Sequence, residues 1–118
     1  MKASSKAKKH GLKALDIATQ AAASVIRIVR SVPAAFKSIA DQAIRSASSF
    51  PLNLAEGSGR FGRDRLHHYR IAYGSGKEAE TALKLLVMSG VINKKHADYA
   101  LQLLDRALAM TWRLMHTK

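Results

Sequence analysis

Two short glycine-containing segments have the residue types and spacing of phosphate-binding loops. Residues 57–62, Gly-Ser-Gly-Arg-Phe-Gly, satisfy the G-x-G-x-x-G pattern, which binds dinucleotides when a strand precedes it and a helix follows directly. Residues 74–77, Gly-Ser-Gly-Lys, resemble the end of a phosphate loop, but Ile71 replaces its first glycine and Glu78 replaces its magnesium-binding Ser or Thr. Since the apolar residues around both segments recur with helical spacing, we expect neither to bind a nucleotide cofactor.

The sequence also lacks the usual patterns of metal sites and catalytic sets. It has no cysteine, which excludes thiolate metal sites, disulfides and a cysteine nucleophile. Helix bundles hold two metal ions through a pair of Glu-x-x-His motifs, and the nearest pattern here, from Asp64 to His67, has no second copy. His67 and His68 are adjacent, so they project about 100° apart on a helix rather than converging on one ion. No Ser, His and carboxylate set is recognisable from spacing, and we expect no metal, no cofactor and no enzymatic activity.

A third region with chemical potential is a glycine turn rich in arginine. Glu56 and Arg60 flank residues 57–59, and Arg63 and Arg65 follow closely. A basic loop of this kind can hold a phosphate with the help of glycine N–H groups. We predict a structural role for Glu56, in an ion pair with Arg60 or with another helix, because an acid repels phosphate. For Arg63 and Arg65, phosphate binding and stabilisation of the turn both stay open.

The net charge indicates the class of partner. Twenty Lys and Arg against eight Asp and Glu give +12 at pH 7 in 118 residues, an excess typical of proteins that bind nucleic acid or, less often, anionic membranes. Residues 1–11 carry four lysines and no acid, and we interpret them as a flexible basic tail. The candidate nucleic-acid-binding residues are Lys2, Lys6, Lys8, Lys9, Lys13, Arg60, Arg63 and Arg65.

Helical periodicity in the first half of the chain predicts two helices. Apolar residues recur every three or four positions from Leu12 onward, and Pro33 ends this first helix and begins the second. Pro51 lacks the N–H that an uninterrupted helix needs, so the pattern predicts a kink near Phe50. The glycines of residues 57–59 are expected to end the second helix, with Gly57 in a left-handed conformation.

The second half of the chain predicts two more helices. Asp64 is the predicted N-cap of a third helix that extends to Met88, and Gly90 ends it. Asn93 is expected to cap a fourth helix that reaches about Leu114. The sequence therefore predicts an all-α protein in which residues 12–118 form an antiparallel up-down four-helix bundle.

The apolar surface of the predicted fourth helix is wider than one bundle core requires. Its buried-type residues fill an arc of about 200° on a helical wheel, whereas a core-facing helix needs about 100°. Burial by another protomer explains the excess, and coverage by the tail or a loop is the alternative. The residues of the extra stripe, which we predict to form an oligomer interface, are Leu101, Leu104, Leu108, Trp112 and Met115.

Two sequence motifs resemble a known family. Residues 45–60 match an Arg-Ala-Ala-like segment followed by Ser-Ile-Pro-x-Asn-Ile-Ala-Glu-Gly-x-Gly-Arg, and residues 71–78 match Ile-Ala-x-Gly-Ser-x-x-Glu. Both patterns are similar to those of the four-helix-bundle proteins encoded by intervening sequences in bacterial 23S rRNA genes, with Phe50 in place of the usual isoleucine. The motif residues to which we assign structural roles are Pro51, Asn53, Glu56, Gly57, Gly59 and Glu78.

The resemblance implies a four-helix protomer assembled into a ring-shaped homopentamer without catalytic residues. Related proteins include the accessory variability determinant of diversity-generating retroelements, a basic pentamer that binds nucleic acid and works with a reverse transcriptase. The resemblance and the net charge together favour an oligomeric protein that binds RNA or DNA. An oligomeric scaffold that docks an acidic protein, or a reverse-transcriptase accessory protein, is the alternative.

A membrane partner is disfavoured by the composition of the tail. Its lysines are not interleaved with the Trp, Phe or Leu that anchor a basic segment in a lipid surface. The sequence also has no apolar run of membrane-spanning length and no apolar stretch behind its basic start. We therefore expect a cytoplasmic protein.

Overall fold

The computed structural model describes the backbone of residues 2–117 and the side chains of residues 9–117. The regular structure of this part of the chain is entirely helical. The four long helices are α1 (Lys2–Val29), α2 (Lys37–Ser58), α3 (Gly62–Met88) and α4 (Lys94–His116), and a short 3-10 turn (Ala34–Phe36) precedes α2. The predicted all-α class and the four helices are thus confirmed.

The first helix begins ten residues before the predicted start at Leu12. It includes residues 2–11, so the backbone shows no break between the predicted tail and the bundle. Gly11 does not end a helix here, because it is buried inside α1 and an added Cβ would lie 3.6 Å from the Tyr69 hydroxyl. The chain leaves the helix after Val29, and Pro33 precedes the 3-10 turn.

The second helix continues through Pro51 and ends at Ser58. Gly59 follows with φ −87°, and its N–H donates to the Glu56 carbonyl at 3.2 Å. The prediction of a left-handed Gly57 is wrong, since the positive φ values in the described chain belong to Gly62 and Gly90. Gly57 lies within α2 and is buried, so space rather than backbone conformation explains the glycine.

Local signals at the ends of α3 and α4 are confirmed at three of four positions. Gly90, the residue after the Ser89 C-cap of α3, has φ +77°, and Asn93 caps α4 by accepting a hydrogen bond from the Lys95 N–H at 2.9 Å. The end of α3 at Met88 also agrees. The N-cap assignment of Asp64 is wrong, because α3 already begins at Gly62, where the Arg65 N–H donates to the Phe61 carbonyl at 3.3 Å, and Asp64 lies in its first turn.

The helices pack around a core of small side chains. Each long helix packs mainly against two others, which gives four helix pairs. The contact between α2 and α3 is the most extensive of these pairs, and the contact between α3 and α4 is the least extensive. Among the residues with described side chains, 13 of the 25 buried hydrophobic residues are alanine. An alanine-rich core holds helix axes close together, and its larger members, such as Phe50, Leu83 and Leu104, fill the remaining space.

Two glycines mark the closest approach of α2 and α3. A Cβ on Gly57 would lie 2.8 Å from the Tyr69 ring, and a Cβ on Gly76 would lie 2.7 Å from Leu108 and 2.8 Å from the Phe50 ring. Since these side chains are almost completely buried, they cannot move aside freely. Gly76, the second glycine of the 74–77 segment, therefore serves helix packing rather than phosphate binding.

Replacing Gly76 by alanine should destabilise the protein, because overpacking a filled core costs about 1–3 kcal/mol. The matched control is Gly74→Ala in the same helix, where an added Cβ meets nothing within 4 Å. There the better helix propensity of alanine should stabilise by about 0.5–1 kcal/mol. Urea denaturation of both variants measures the difference, and equal stabilisation by the two substitutions would contradict the close contact.

Candidate nucleic-acid interface

Arg60 holds the turn between α2 and α3 with two carboxylates. Its guanidinium donates to Glu56 Oε1 and to Asp64 Oδ2, each at 2.7 Å. The predicted pairing of Glu56 with Arg60 is confirmed, and Asp64 is a second partner from the first turn of α3. The guanidinium therefore joins the end of α2 to the start of α3.

The two carboxylates are more acidic than usual because of this arginine. The hydrogen bond from Arg60 and then its charge hold the pKa of Glu56 below its ordinary value. The same hydrogen bond is the main cause of the lowered pKa of Asp64. The pKa of Arg60 is raised in turn by its two hydrogen-bonded acids. All three side chains are partly exposed, so solvent weakens the pairs.

Arg65 is a second structural arginine of this turn. Its Nε donates to the Arg60 carbonyl at 2.8 Å and to the Gly57 carbonyl at 3.3 Å. Its guanidinium carbon also lies 5.6 Å from the centre of the Phe61 ring, a distance typical of a cation–π contact. Of the two roles open for Arg65, these contacts favour stabilisation of the turn, since they satisfy carbonyls at the end of α2.

The other candidate cations are exposed. Arg63, Lys9 and Lys13 are solvent-accessible and form no ion pair with the residues whose side chains are described. The side chains of Lys2, Lys6 and Lys8 lie outside the described residues. Thus Arg63 is the arginine of the turn whose charge is available to a phosphate.

The motif residues of α2 and α3 lie along the contact between these two helices. Asn53 Nδ2 donates to the Ser49 carbonyl and hydroxyl, both at 3.0 Å, and its Oδ1 is 3.3 Å from His68 Nδ1. Ser75 Oγ donates to Ser49 Oγ at 2.8 Å. The structural role predicted for Asn53 follows from these bonds, and helical spacing of Ser49, Asn53 and Glu56 on α2 is the sequence signal for one polar row.

The same row continues toward the start of α2. Gln42 donates to the Glu78 carboxylate, and Arg45 donates to Gln42 Oε1 at 3.0 Å. Glu78 therefore replaces a magnesium ligand of the phosphate-loop pattern with a contact between helices. The sequence alone did not identify Gln42, Arg45 and Ser49 as contact residues. Polar pairing between two helices depends on how far one helix is shifted along the other, and a single sequence does not reveal this register.

The proposed interface stripe of α4 is only partly at the surface. Leu104 and Leu108 are buried inside the protomer, which corrects their assignment to an oligomer interface. Leu101 and Met115 are partly buried against the same core, and Trp112 is 49% exposed. The wide apolar arc has this shape because α4 contacts both α1 and α3 and so needs more than one apolar stripe.

The residues that the structure describes contain neither a cluster of metal ligands nor a membrane-spanning helix. No group of three or more His, Asp or Glu side chains that could hold a metal ion occurs in this part of the chain. Within those limits no helix is both long and apolar enough to cross a membrane.

Comparisons with known proteins identify similar sequences and folds. The profile of a family described as 23S rRNA-intervening sequence protein matches residues 10–113. No curated protein matches the chain.

A solved structure from Bacteroides thetaiotaomicron has the same fold. It is described as a protein of unknown function from the S23 ribosomal protein family, and its TM-score against this chain is 0.83. The two chains share 18% sequence identity over 92% of this chain and 99% of the other. At this identity the likeness concerns the fold alone.

Replacing Arg60 by methionine should lower thermal stability at neutral pH and have a smaller effect in acid. Carboxyls with a lowered folded-state pKa stabilise above their unfolded pKa, and this contribution is lost as pH falls through the folded value. Melting temperatures between about pH 7 and pH 2 measure the effect. Arg63→Met is the matched control, because Arg63 has no acidic partner in the described structure. A pH-independent loss in Arg60→Met would contradict the bridge.

Proposed function

This chain belongs to the 23S rRNA-intervening sequence protein family, and we propose that it binds RNA or DNA through a basic surface, as an oligomer and without catalysis. The observation that carries the proposal is the excess of surface cations that the fold itself does not neutralise. No cofactor takes part.

The ion pairs among the described residues engage acids and bases in equal number, so they leave the positive excess of the chain unchanged. Glu56 and Asp64 share Arg60, and Glu80 lies 3.2 Å from Lys77 and 4.0 Å from Lys84. With Lys37–Asp41 added, the pairs within the described residues engage four of the eight acids and four of the Lys and Arg residues. Since there are 20 Lys and Arg residues, a large positive excess stays on the surface and attracts polyanions.

The proposed contacts are to the phosphate backbone rather than to bases. Arg63 beside the turn and Lys9 and Lys13 on α1 are exposed, as a phosphate contact requires. These cations lie on different helices without a compact group of base-reading side chains around them. Binding that depends on phosphates alone is independent of sequence and sensitive to salt.

The proposed assembly is a ring-shaped homopentamer of antiparallel four-helix protomers. The contacts of Gln42 with Glu78, Ser49 with Ser75 and Asn53 with His68 support opposite directions for α2 and α3, because one residue number rises as the other falls. Trp112, which is half-exposed and one turn from the partly buried Met115, supports a protomer contact on α4. A ring repeats every weak phosphate contact and so raises avidity.

We expect the full-length protein to bind single- or double-stranded RNA or DNA at about 50 mM salt and to lose most of this affinity by about 200 mM. Deleting residues 2–9 removes four lysines and should make the salt dependence shallower, because fewer counterions are released on binding. Fluorescence anisotropy of labelled oligonucleotides measures both.

The mass of the oligomer should not change on this deletion, so the experiment separates the effect of charge on binding from an effect on assembly. If the full-length protein binds no nucleic acid at about 50 mM salt, where basic binders normally associate, the proposal is wrong. The oligomeric scaffold for an acidic protein, or for a reverse transcriptase, would then be the better account.

Light scattering should give a mass of about 64 kDa, five times the 12.9 kDa protomer. Trp112→Asp should reduce this mass, because a carboxylate placed in a protomer contact loses its water without gaining a partner. Tyr99→Asp is the matched control, since Tyr99 is an exposed aromatic on another face of α4. Leu108→Asp is not informative, because Leu108 is buried in the protomer.

A monomer mass for the unmodified protein at micromolar concentration would contradict any oligomer, and a dimer or tetramer mass would contradict the pentamer. If Trp112→Asp lowers the mass no more than Tyr99→Asp does, Trp112 does not lie in the protomer contact.

A further inference from the structure

A small cleft between the first part of α1 and the last part of α4 brings three basic side chains together. It has a volume of about 200 Å³ and is lined by His10 and Lys13 from α1 and by Met110, Arg113, Leu114 and Thr117 from α4 and the residue after it. We propose that this cleft binds a phosphate group. The inference rests on the proposed function in one respect, which is that the phosphate belongs to a nucleic-acid backbone.

The charges of the cleft are all of one kind. Neither Asp nor Glu lines it, and neither Lys13 nor Arg113 forms an ion pair with a residue whose side chain is described. Asp16, one turn along α1 from Lys13, accepts a hydrogen bond from Gln20 Nε2 at 3.3 Å. Two permanent cations thus face one cleft with no counterion among the residues whose side chains are described, and an anion between them lowers their mutual repulsion.

Stabilisation of the end of α4 does not account for these cations. Basic residues near a helix C-terminus often bind its last carbonyls, but other side chains do so here. Thr117 Oγ1 donates to the Arg113 carbonyl at 2.5 Å, and His116 Nδ1 lies 2.8 Å from the Trp112 carbonyl. The guanidinium of Arg113 has no hydrogen bond within the described chain, so its donors are available to a ligand.

The apolar side and the size of the cleft favour a bound phosphate over loosely associated counterions that exchange with the solvent. Met110 and Leu114 give the cleft an apolar side, which lowers the local dielectric and strengthens charge interactions. Its volume is several times the roughly 30 Å³ that a water molecule occupies in the liquid. The planar guanidinium of Arg113 can donate two hydrogen bonds to phosphate oxygens while Lys13 adds a point charge.

Arg113→Ala and Lys13→Ala test the site against Lys94→Ala. Lys94 is an exposed cation at the other end of the same helix, about 28 Å from Arg113 along the axis. Circular dichroism melts establish that all three variants fold. With a labelled single-stranded RNA oligonucleotide at about 50 mM salt, we expect each cleft variant to lose about fivefold or more in affinity.

The salt dependence gives a second measure. Each lost phosphate contact should reduce the slope of log affinity against log salt by about 0.7 for a single strand, and Lys94→Ala should change neither quantity by as much. Arg113→Lys, which keeps the charge but not the paired donors, should fall between the unmodified protein and Arg113→Ala. Equal losses in Lys94→Ala and Arg113→Ala would overturn the cleft while leaving nucleic-acid binding intact.

Inorganic phosphate distinguishes a backbone phosphate from a free one. Amide NMR shifts at residues lining the cleft on addition of phosphate to the unmodified protein, absent in Arg113→Ala, would support the site. If these shifts occur but the protein binds no oligonucleotide, the proposed function is wrong and the cleft stands as a site for free phosphate. If neither oligonucleotide nor phosphate affects the cleft, the inference itself is wrong.

Discussion

The close contact between α2 and α3 is the constraint on which the other features of this protein depend. Gly57 lies against the Tyr69 ring, and Gly76 lies against Phe50 and Leu108. Because these contacts are seven residues apart on α3, they fix how far one helix is displaced along the other. That register aligns Ser49 with Ser75 and Asn53 with His68, and it leaves only a short turn for Arg60 to bridge. Leu108 extends the same contact to α4.

The apolar core also explains why the charged side chains lie at the surface. The core is built from alanine and larger apolar residues, and the cations lie outside it because burying an unpaired charge costs a large desolvation free energy. The acids are used mainly for local structure, as in the pairs of Arg60 with Glu56 and Asp64 and of Lys77 with the buried Glu80. The hydrogen bond that Lys77 donates to the Glu80 carboxylate is the main cause of the raised pKa of Lys77. Positive charge is therefore left over on the surface, which a polyanionic partner can neutralise.

Local chemistry was predictable from the sequence, whereas packing was predictable only in part. The cap at Asn93 and the left-handed Gly90 follow from residue type alone, because each acts on its own backbone. The reason for a glycine at position 57 could not be predicted, because a positive φ and a close neighbour each require glycine. Leu104 and Leu108 were assigned to the wrong partner for a similar reason. A helical wheel shows which residues are buried, but it does not show whether the same chain or a second one covers them.

Binding of nucleic acid by the surface charge can be tested on the purified protein. The most direct measurement is the ultraviolet absorbance spectrum of the protein purified at low salt without nuclease, before and after washing at high salt. Our account predicts nucleic-acid absorbance that elutes with the protein at low salt and separates from it at high salt, as counterion release requires. A pure protein spectrum at low salt, from cells in which the protein is folded and abundant, would contradict it.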